Sequence, residues 1–189
     1  MIHIDSSGLD RAQAMLQHIP GAAAKATKTA LKKTVRGARQ EASKKVRERY
    51  TIKAKYITRT LSVSVEMGGF VASFKSKGRV NDLAYFKHKP GNPPKRRPKP
   101  GNYLHSEVVQ GEGGPIRHAF LAGMQSGHVG VFRRTSGNRS LPIEKLSGPS
   151  TPQMLGSPSV ATFIQKRMME RLDVNITHEV NAFLMGYRT

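Results

Sequence analysis

The sequence predicts an α+β fold: a long N-terminal helix and a C-terminal helix packed on a central antiparallel β-sheet, with a long basic Pro-rich loop between strands. Three patterns carry that reading. From Pro20 to Arg49 no further proline occurs and Ala, Lys, Arg and Gln dominate, as in one long helix. From Leu61 the apolar period drops to two, the mark of half-buried strands. From Val160 to Leu184 apolar residues recur every four positions.

In chain order, Leu9, Ala12, Ala14, Met15 and Leu16 give a short first helix over 6–18, with Ser6 or Ser7 as cap. In the long helix Leu31, Val35, Ala38, Ala42 and Val46 form an apolar stripe that leaves Lys28, Lys32, Arg36, Arg39 and Lys44 largely on other faces. A short helix follows over 53–60. Leu61, Val63 and Val65, then Phe70, Ala72 and Phe74, alternate around Met67-Gly68-Gly69 as a hairpin. Further strands are expected at 79–86, 103–109, 116–124 and 128–134, the last two joined at Ser126-Gly127. Five prolines between 87 and 102 predict an extended, mobile basic loop. Residues 135–158, with Pro142, Pro149, Pro152 and Pro158, read as an irregular crossing. The last helix, 158–186, opens with Ser157 as cap and carries Val160, Ile164, Met168, Leu172, Ile176, Val180 and Leu184, joined by Phe163 and Phe183. One domain spanning 1–189 is expected, helical over 1–60 and mainly stranded over 61–134.

Composition narrows the function classes. With 37% apolar and 6% aromatic residues and no Trp, the core is thin, and neighbouring subunits are expected to complete it. The 32 Lys and Arg against 12 Asp and Glu give +20, which self-repels in a compact monomer and favours a polyanion or an acidic protein surface. No cysteine is present, so disulfides and thiolate metal sites are excluded. No apolar run reaches the roughly 20 residues of a bilayer span, and MIHIDSSGLDRAQ lacks the basic-then-apolar order of a secretory signal, so synthesis and assembly in the cytoplasm are expected.

Catalytic, cofactor and metal sites are not expected. Among His3, His18, His88, His105, His118, His128 and His178 no pair has helix-facing spacing with a nearby carboxylate; His118 and His128 would meet only across the 116–134 hairpin. The carboxylates are scattered among basic residues, with no paired or His-linked arrangement for acid–base chemistry. No GxSxG, Walker A or GxGxxG segment occurs, and Gly111-Glu112-Gly113-Gly114 reads as a turn before a strand. A small metal-dependent nuclease would have to rely on His118 or Asp82. For DNA or an acidic partner, the candidate contacts are Lys95, Arg96, Arg97 and Lys99 in the loop and Lys32, Arg36 and Arg39 on the long helix, engaging phosphates without reading sequence. The bland reading of these charges is a solvated face.

The segment GHVGVFRRTSGNRSLPIEKLSGPSTPQML, 127–155, resembles the signature of the prophage minor tail protein Z family, the lambda-type tail-completion proteins. Its carriers are Gly130, Phe132, Arg133 and Arg134, then Pro142, Ile143, Lys145 and Leu146, then Gly148, Pro149, Ser150, Pro152 and Met154. The Ala-rich basic stretch 20–46 and the following YTIKAKYITRTL are similar to the family's opening; the loop at 87–101 has no counterpart. The resemblance implies a structural virion protein, not an enzyme, that completes the head-proximal end of a phage tail and acts in head–tail joining. It further implies a homo-oligomer, taken as a hexameric ring, whose neighbours are a tail terminator or tail tube and head connector proteins, with packaged DNA in the lumen. On this reading Gly130, Phe132, Arg134, Pro142, Ile143, Gly148, Pro149, Ser150 and Pro152 build the fold and a subunit contact. The competing class is a sequence-nonspecific nucleic-acid-binding protein, for which the charge itself is the function.

Overall fold

Alanine has the highest helix propensity and little side-chain entropy to lose, so the run from Ala22 with its lysines and arginines folds into one long helix. The computed structural model describes residues 7–19, 21–66, 71–94, 103–135 and 141–187, with side chains described from Asp10 onward. Helix α1 spans Ser7–Leu16, α2 Ala22–Arg49 and α3 Ala54–Thr58. Strands β1 (Leu61–Glu66) and β2 (Val71–Ser76) follow, then β3 (Asn81–Asp82), a 3-10 turn at Leu83–Tyr85, and β4 (Lys87–Lys89). Next come β5 (Leu104–Val109), β6 (Glu112–Ile116), β7 (Ala119–Gly123), β8 (Val129–Arg134), β9 (Ile143–Lys145) and β10 (Ser147–Gly148). Helices α4 (Thr151–Leu155) and α5 (Pro158–Leu184) close the chain. The class is α+β, as the sequence predicts. Among the described residues all strand pairing is antiparallel and is distributed over four small sheets, β1-β2, β3-β10, β4-β5-β6 and β7-β8-β9.

The chain divides into two compact units. The first contains residues 1–43, 61–77 and 155–189, hence α1, most of α2, the β1-β2 hairpin and α5. Its core is drawn from Leu16, Ala26, Ala30, Leu31, Val35, Ala38 and Ala42 on the N-terminal helices and Val160, Ile164, Met168, Leu172, Ile176, Val180 and Phe183 on α5, all buried. In the hairpin Val63 pairs with Phe74 and Val65 with Ala72, which sets the apolar positions on one face. The turn expected at Met67-Gly68-Gly69 lies outside the described residues. The α5 stripe departs from the sequence reading at one position: Leu184 is exposed and Phe183 is buried instead. A step of four overshoots one helical turn by about 40°, so a step of three is needed to keep the last apolar residue inward.

The second unit contains residues 44–60 and 78–154. Val46, Ile52, Ile57, Leu83, Phe86, Leu104, Leu121, Val131, Phe132 and Met154 form its core. This unit departs from the sequence expectations at four places. The strand at 79–86 is only Asn81–Asp82, because the Asp82 carboxylate accepts the Ala84 amide at 3.0 Å and diverts the chain into the 3-10 turn. The loop expected from residue 87 begins later: Lys87–Lys89 pair with His105–Glu107, and the strand stops before Pro90, which has no amide to donate. The 135–158 crossing is regular in part, since β9 extends the β7-β8 hairpin and β10 pairs with β3. The GEGG turn also shifts. Gly111 takes a φ of 79° at the corner, and Glu112, Gly113 and Gly114 already belong to β6.

Candidate functional site

On α2 the apolar stripe turns Lys32 and Arg36 outward and leaves Arg39 half-buried. Their spacing of four and three places all three on one strip of the helix, about 10 Å long at 1.5 Å per residue. Among the described residues Lys32 and Arg36 form no ion pair. Three other cations of the first unit, Lys33, Arg167 and Arg171, are paired within it. Lys33 reaches the fully buried Glu179 at 2.6 Å, Asn175 donates to Thr34 at 2.9 Å, and Arg167 and Arg171 of α5 converge on Glu41 at 3.2 and 2.6 Å. The Arg171 guanidinium, helped by Arg167, holds the Glu41 carboxyl below its usual range despite its partial burial. Glu41 and Glu170 in turn raise the Arg167 pKa. Lys32 and Arg36 thus stand as exposed cations on one strip of α2.

The four loop candidates Lys95, Arg96, Arg97 and Lys99 lie outside the described residues. The start of the loop is well tied. Lys87 Nζ meets Glu107 Oε2 at 2.7 Å, the Gly111 amide donates to Glu107 Oε1 at 2.9 Å, and both hold the Glu107 carboxyl below its ordinary value. Thr51 Oγ1 donates to the Glu107 carbonyl and accepts the Lys87 amide at 3.1 Å.

Of the motif residues, all in the second unit, Gly148 and Pro149 meet the short strand Asn81–Asp82. Gly130 is buried in β8, where a Cβ would meet the Phe132 ring and His128 at 3.1 Å. Phe132 packs tilted against Phe120 with centroids 6.2 Å apart, and the Arg134 guanidinium lies 5.1 Å from the Phe120 ring. The Pro142 carbonyl accepts the Thr135 hydroxyl at 3.2 Å, and Ile143 pairs with Arg134. Gly148 pairs with Asn81, and the Asn81 side chain donates to the Pro149 carbonyl at 2.8 Å. Ser150 and Gln153 form a reciprocal capping box: Ser150 Oγ accepts the Gln153 amide at 3.3 Å, and Gln153 Oε1 accepts the Ser150 amide at 2.9 Å. Pro152 stands in the first turn of α4, half-buried. The signature therefore encodes backbone close approach, strand pairing and caps.

Asp82 is the electrostatic centre of this arrangement. Its side chain is 1% exposed, and Oδ2 accepts His128 Nε2 at 2.7 Å and Lys145 Nζ at 2.9 Å. Burial pushes its pKa upward, but the Ala84 amide, Lys145 and His128 outweigh it and hold the carboxyl below the ordinary value. His118 does not share this cluster. The β7-β8 turn at 124–127 sets His118 beside Arg134, whose amide donates to its carbonyl at 3.3 Å, and His128 beside Met124 at the other end of the hairpin. The two histidines therefore do not meet. Among the described residues no three His, Asp or Glu side chains are grouped to hold a metal ion.

A family model described as prophage minor tail protein Z matches residues 7–188. The chain belongs to the prophage minor tail protein Z family. It is thus a structural component of a phage tail and hence of a virion. No curated protein and no solved structure matches the chain.

In this minor tail protein three arrangements escape the sequence reading. Tyr56 and Tyr85 stack at 3.7 Å between centroids with an interplanar angle of 8°, 29 positions apart with no motif to link them. The Glu41 clasp needs the register of α2 against α5, and the Asp82 cluster needs three non-consecutive strands side by side. Only Ser150-Thr151-Pro152-Gln153, a capping-box pattern, is a local signal available in advance.

Proposed function

We propose that this protein completes the head-proximal end of the phage tail and acts in head–tail joining, as a homo-oligomeric, hexameric ring. The observation that carries this reading is the family match over nearly the whole chain, 7–188, in a chain of +20 charge. The neighbours would be a tail terminator or the tail tube on one side and head connector proteins on the other. The Lys32, Arg36 and Arg39 strip and the basic loop at Lys95, Arg96, Arg97 and Lys99 would face their acidic surfaces or the packaged DNA in the lumen. Exposed apolar side chains of the first unit, Met15, Val174 and Leu184, at 47%, 68% and 50% exposure, are available for contacts between subunits. Assembly in the host cytoplasm precedes incorporation.

The test is electron microscopy of particles from an induced lysogen with a stop codon early in this gene. Full heads and normal-length tails that fail to join are expected. Normal infectious particles would overturn the proposal in favour of a sequence-nonspecific nucleic-acid-binding protein. Native mass measurement on the purified chain and on tails checks the ring, and a monomer in both removes it.

A further inference from the structure

The charge is unevenly shared. Residues 44–60 and 78–154 hold 19 of the 32 Lys and Arg but only five of the 12 Asp and Glu. Within this unit the stretch from Arg49 to Thr60 contains no carboxylate at all, and Arg49, Lys53, Lys55 and Arg59 are exposed. Among the described residues none of these four forms an ion pair, whereas Lys87 and Lys145 of the same unit are each held by a carboxylate.

The four cations are built into the fold. Ile52 and Ile57 are buried and anchor the segment, and Gln110 donates from its amide to the Arg49 carbonyl at 2.8 Å. Tyr56 stacks on Tyr85, so each ring spends one face on the other. The Arg59 guanidinium is 4.9 Å from one centroid and 5.0 Å from the other. Equal distances to two rings stacked 3.7 Å apart place it beside the stack at its mid-height, not over a face. Lys55 Nζ lies 4.9 Å from the Tyr56 ring. Arg59 is confined by packing against the ring edges and Lys55 by attraction to the Tyr56 ring, and both keep N–H donors unused by carboxylates, a preorganised arrangement for anionic oxygens.

We propose that this Tyr56–Tyr85 platform, with Arg49, Lys53, Lys55 and Arg59, binds the phosphate backbone of duplex DNA. A protein surface fits less well, because protein interfaces centre on apolar groups and no large apolar side chain between 49 and 60 is exposed. Single-strand recognition by base stacking is disfavoured, since each ring gives one face to the other, both are half-buried, and Lys55 lies against Tyr56. Duplex DNA offers the higher charge density, about one charge per 1.7 Å of axis. Contacts limited to phosphate carry no sequence preference.

The experiment measures binding of the full chain to a labelled random-sequence 30-base-pair duplex as salt is varied. Replacing Lys53, Lys55 and Arg59 by Gln is expected to lower affinity at least about tenfold near 0.1 M salt and to flatten the log–log salt slope by about 2 to 3. The equal-charge variant K25Q/K75Q/K166Q, three exposed lysines of the first unit that belong to no proposed contact, is expected to lose less than about threefold. Equal loss in both variants would mean that net charge alone binds DNA, and would overturn the site. So would displacement of the duplex by polyglutamate at equal charge, which points to an acidic protein, or tighter binding of a matching single strand. Should the triple variant melt early, the single R59Q and K55Q variants carry the test, with about threefold loss each expected and none overturning it. Because the readout is DNA affinity in vitro, its failure leaves the tail-joining phenotype a separate question.

Discussion

The guanidinium of Arg171 on α5 fills the space in front of Gly37 on α2: a Cβ at Gly37 would stand 2.6 Å from Arg171 Nη1. From that position Arg171 donates through Nε at 2.9 Å and Nη2 at 2.6 Å to Glu41, one turn further along α2. The glycine thus gives up helix propensity to admit a charge-assisted clasp between the two helices. Alanine there gains about 1 kcal/mol of propensity but displaces hydrogen bonds worth about 1.5–3 kcal/mol. Gly37→Ala is therefore expected to destabilise by about 1 kcal/mol in the native background. In the Arg171→Ala background the same change is expected to stabilise by about 1 kcal/mol. Denaturant melts of the four proteins check the reversal of sign, and the same sign in both backgrounds would remove the clasp from the explanation.

Asp82 makes stability depend on acid pH. Its folded pKa lies below the ordinary aspartate value of 3.8, through the Ala84 amide, Lys145 and His128 acting against burial. A depressed carboxylate pKa contributes stability that is present above the unfolded value and is lost as pH falls through the folded one. Glu41, lowered from 4.5 chiefly by Arg171, has the same sign. Thermal melts from pH 7 to pH 2.5 are expected to show a drop beginning near pH 4.5 and deepening below 3.8. Asp82→Asn is expected to melt lower at pH 7 and to converge with the native protein at the acid end. A gap that stays constant with pH would show that Asp82 acts through shape and not charge.

Glu179 is a carboxylate on the apolar side of α5, at 0% exposure, answered by Lys33 at 2.6 Å. Removing one partner of a buried pair strands the other charge, which costs about 3–5 kcal/mol when both are buried. Lys33→Met strands the buried Glu179 carboxylate, but because Lys33 is 44% exposed the pairing it removes is screened by water, and the cost is expected below that range, about 2 kcal/mol. Glu179→Met removes the buried charge itself and is expected to be neutral or stabilising. The order of the two midpoints in a urea melt decides the matter.

These cases show where sequence reading ends. The helices were legible because α2 and α5 repeat one chemical pattern over 28 and 27 residues, so single exceptions hardly disturb it. Glu179 was not, since a carboxylate among apolar positions reads as a boundary residue until Lys33, 146 positions away, is seen opposite. The strand at 79–86 failed for a local reason: Asp82 offered the Ala84 amide a partner that competes with strand pairing. The long-helix candidates Lys32, Arg36 and Arg39 fell on one strip because period 3.6 is a sequence property. The Tyr56–Tyr85 platform depended on a fold contact with no periodic signature.

Gly148 gives the sharpest test of the motif as scaffold. It lies in β10 opposite Asn81, and a Cβ there would come within 2.6 Å of Phe86 Cε2, inside any allowed contact. Phe86 is 2% exposed and anchors the chain just before β4, so its ring cannot swing aside as a surface side chain does. Overpacking of this kind costs about 1–3 kcal/mol, and Gly148→Ala is expected near the top of that range. Gly114 in β6 is the matched control: it too is a strand glycine, but nothing lies within 4 Å of its Cβ position, and Gly114→Ala is expected to change stability by less than about 0.5 kcal/mol. Thermal and urea melts of both variants decide whether the Gly-Pro-Ser stretch works through close packing. If Gly148→Ala melts like the native protein yet its particles fail to assemble, the motif acts at a subunit contact and not through the fold of its own unit.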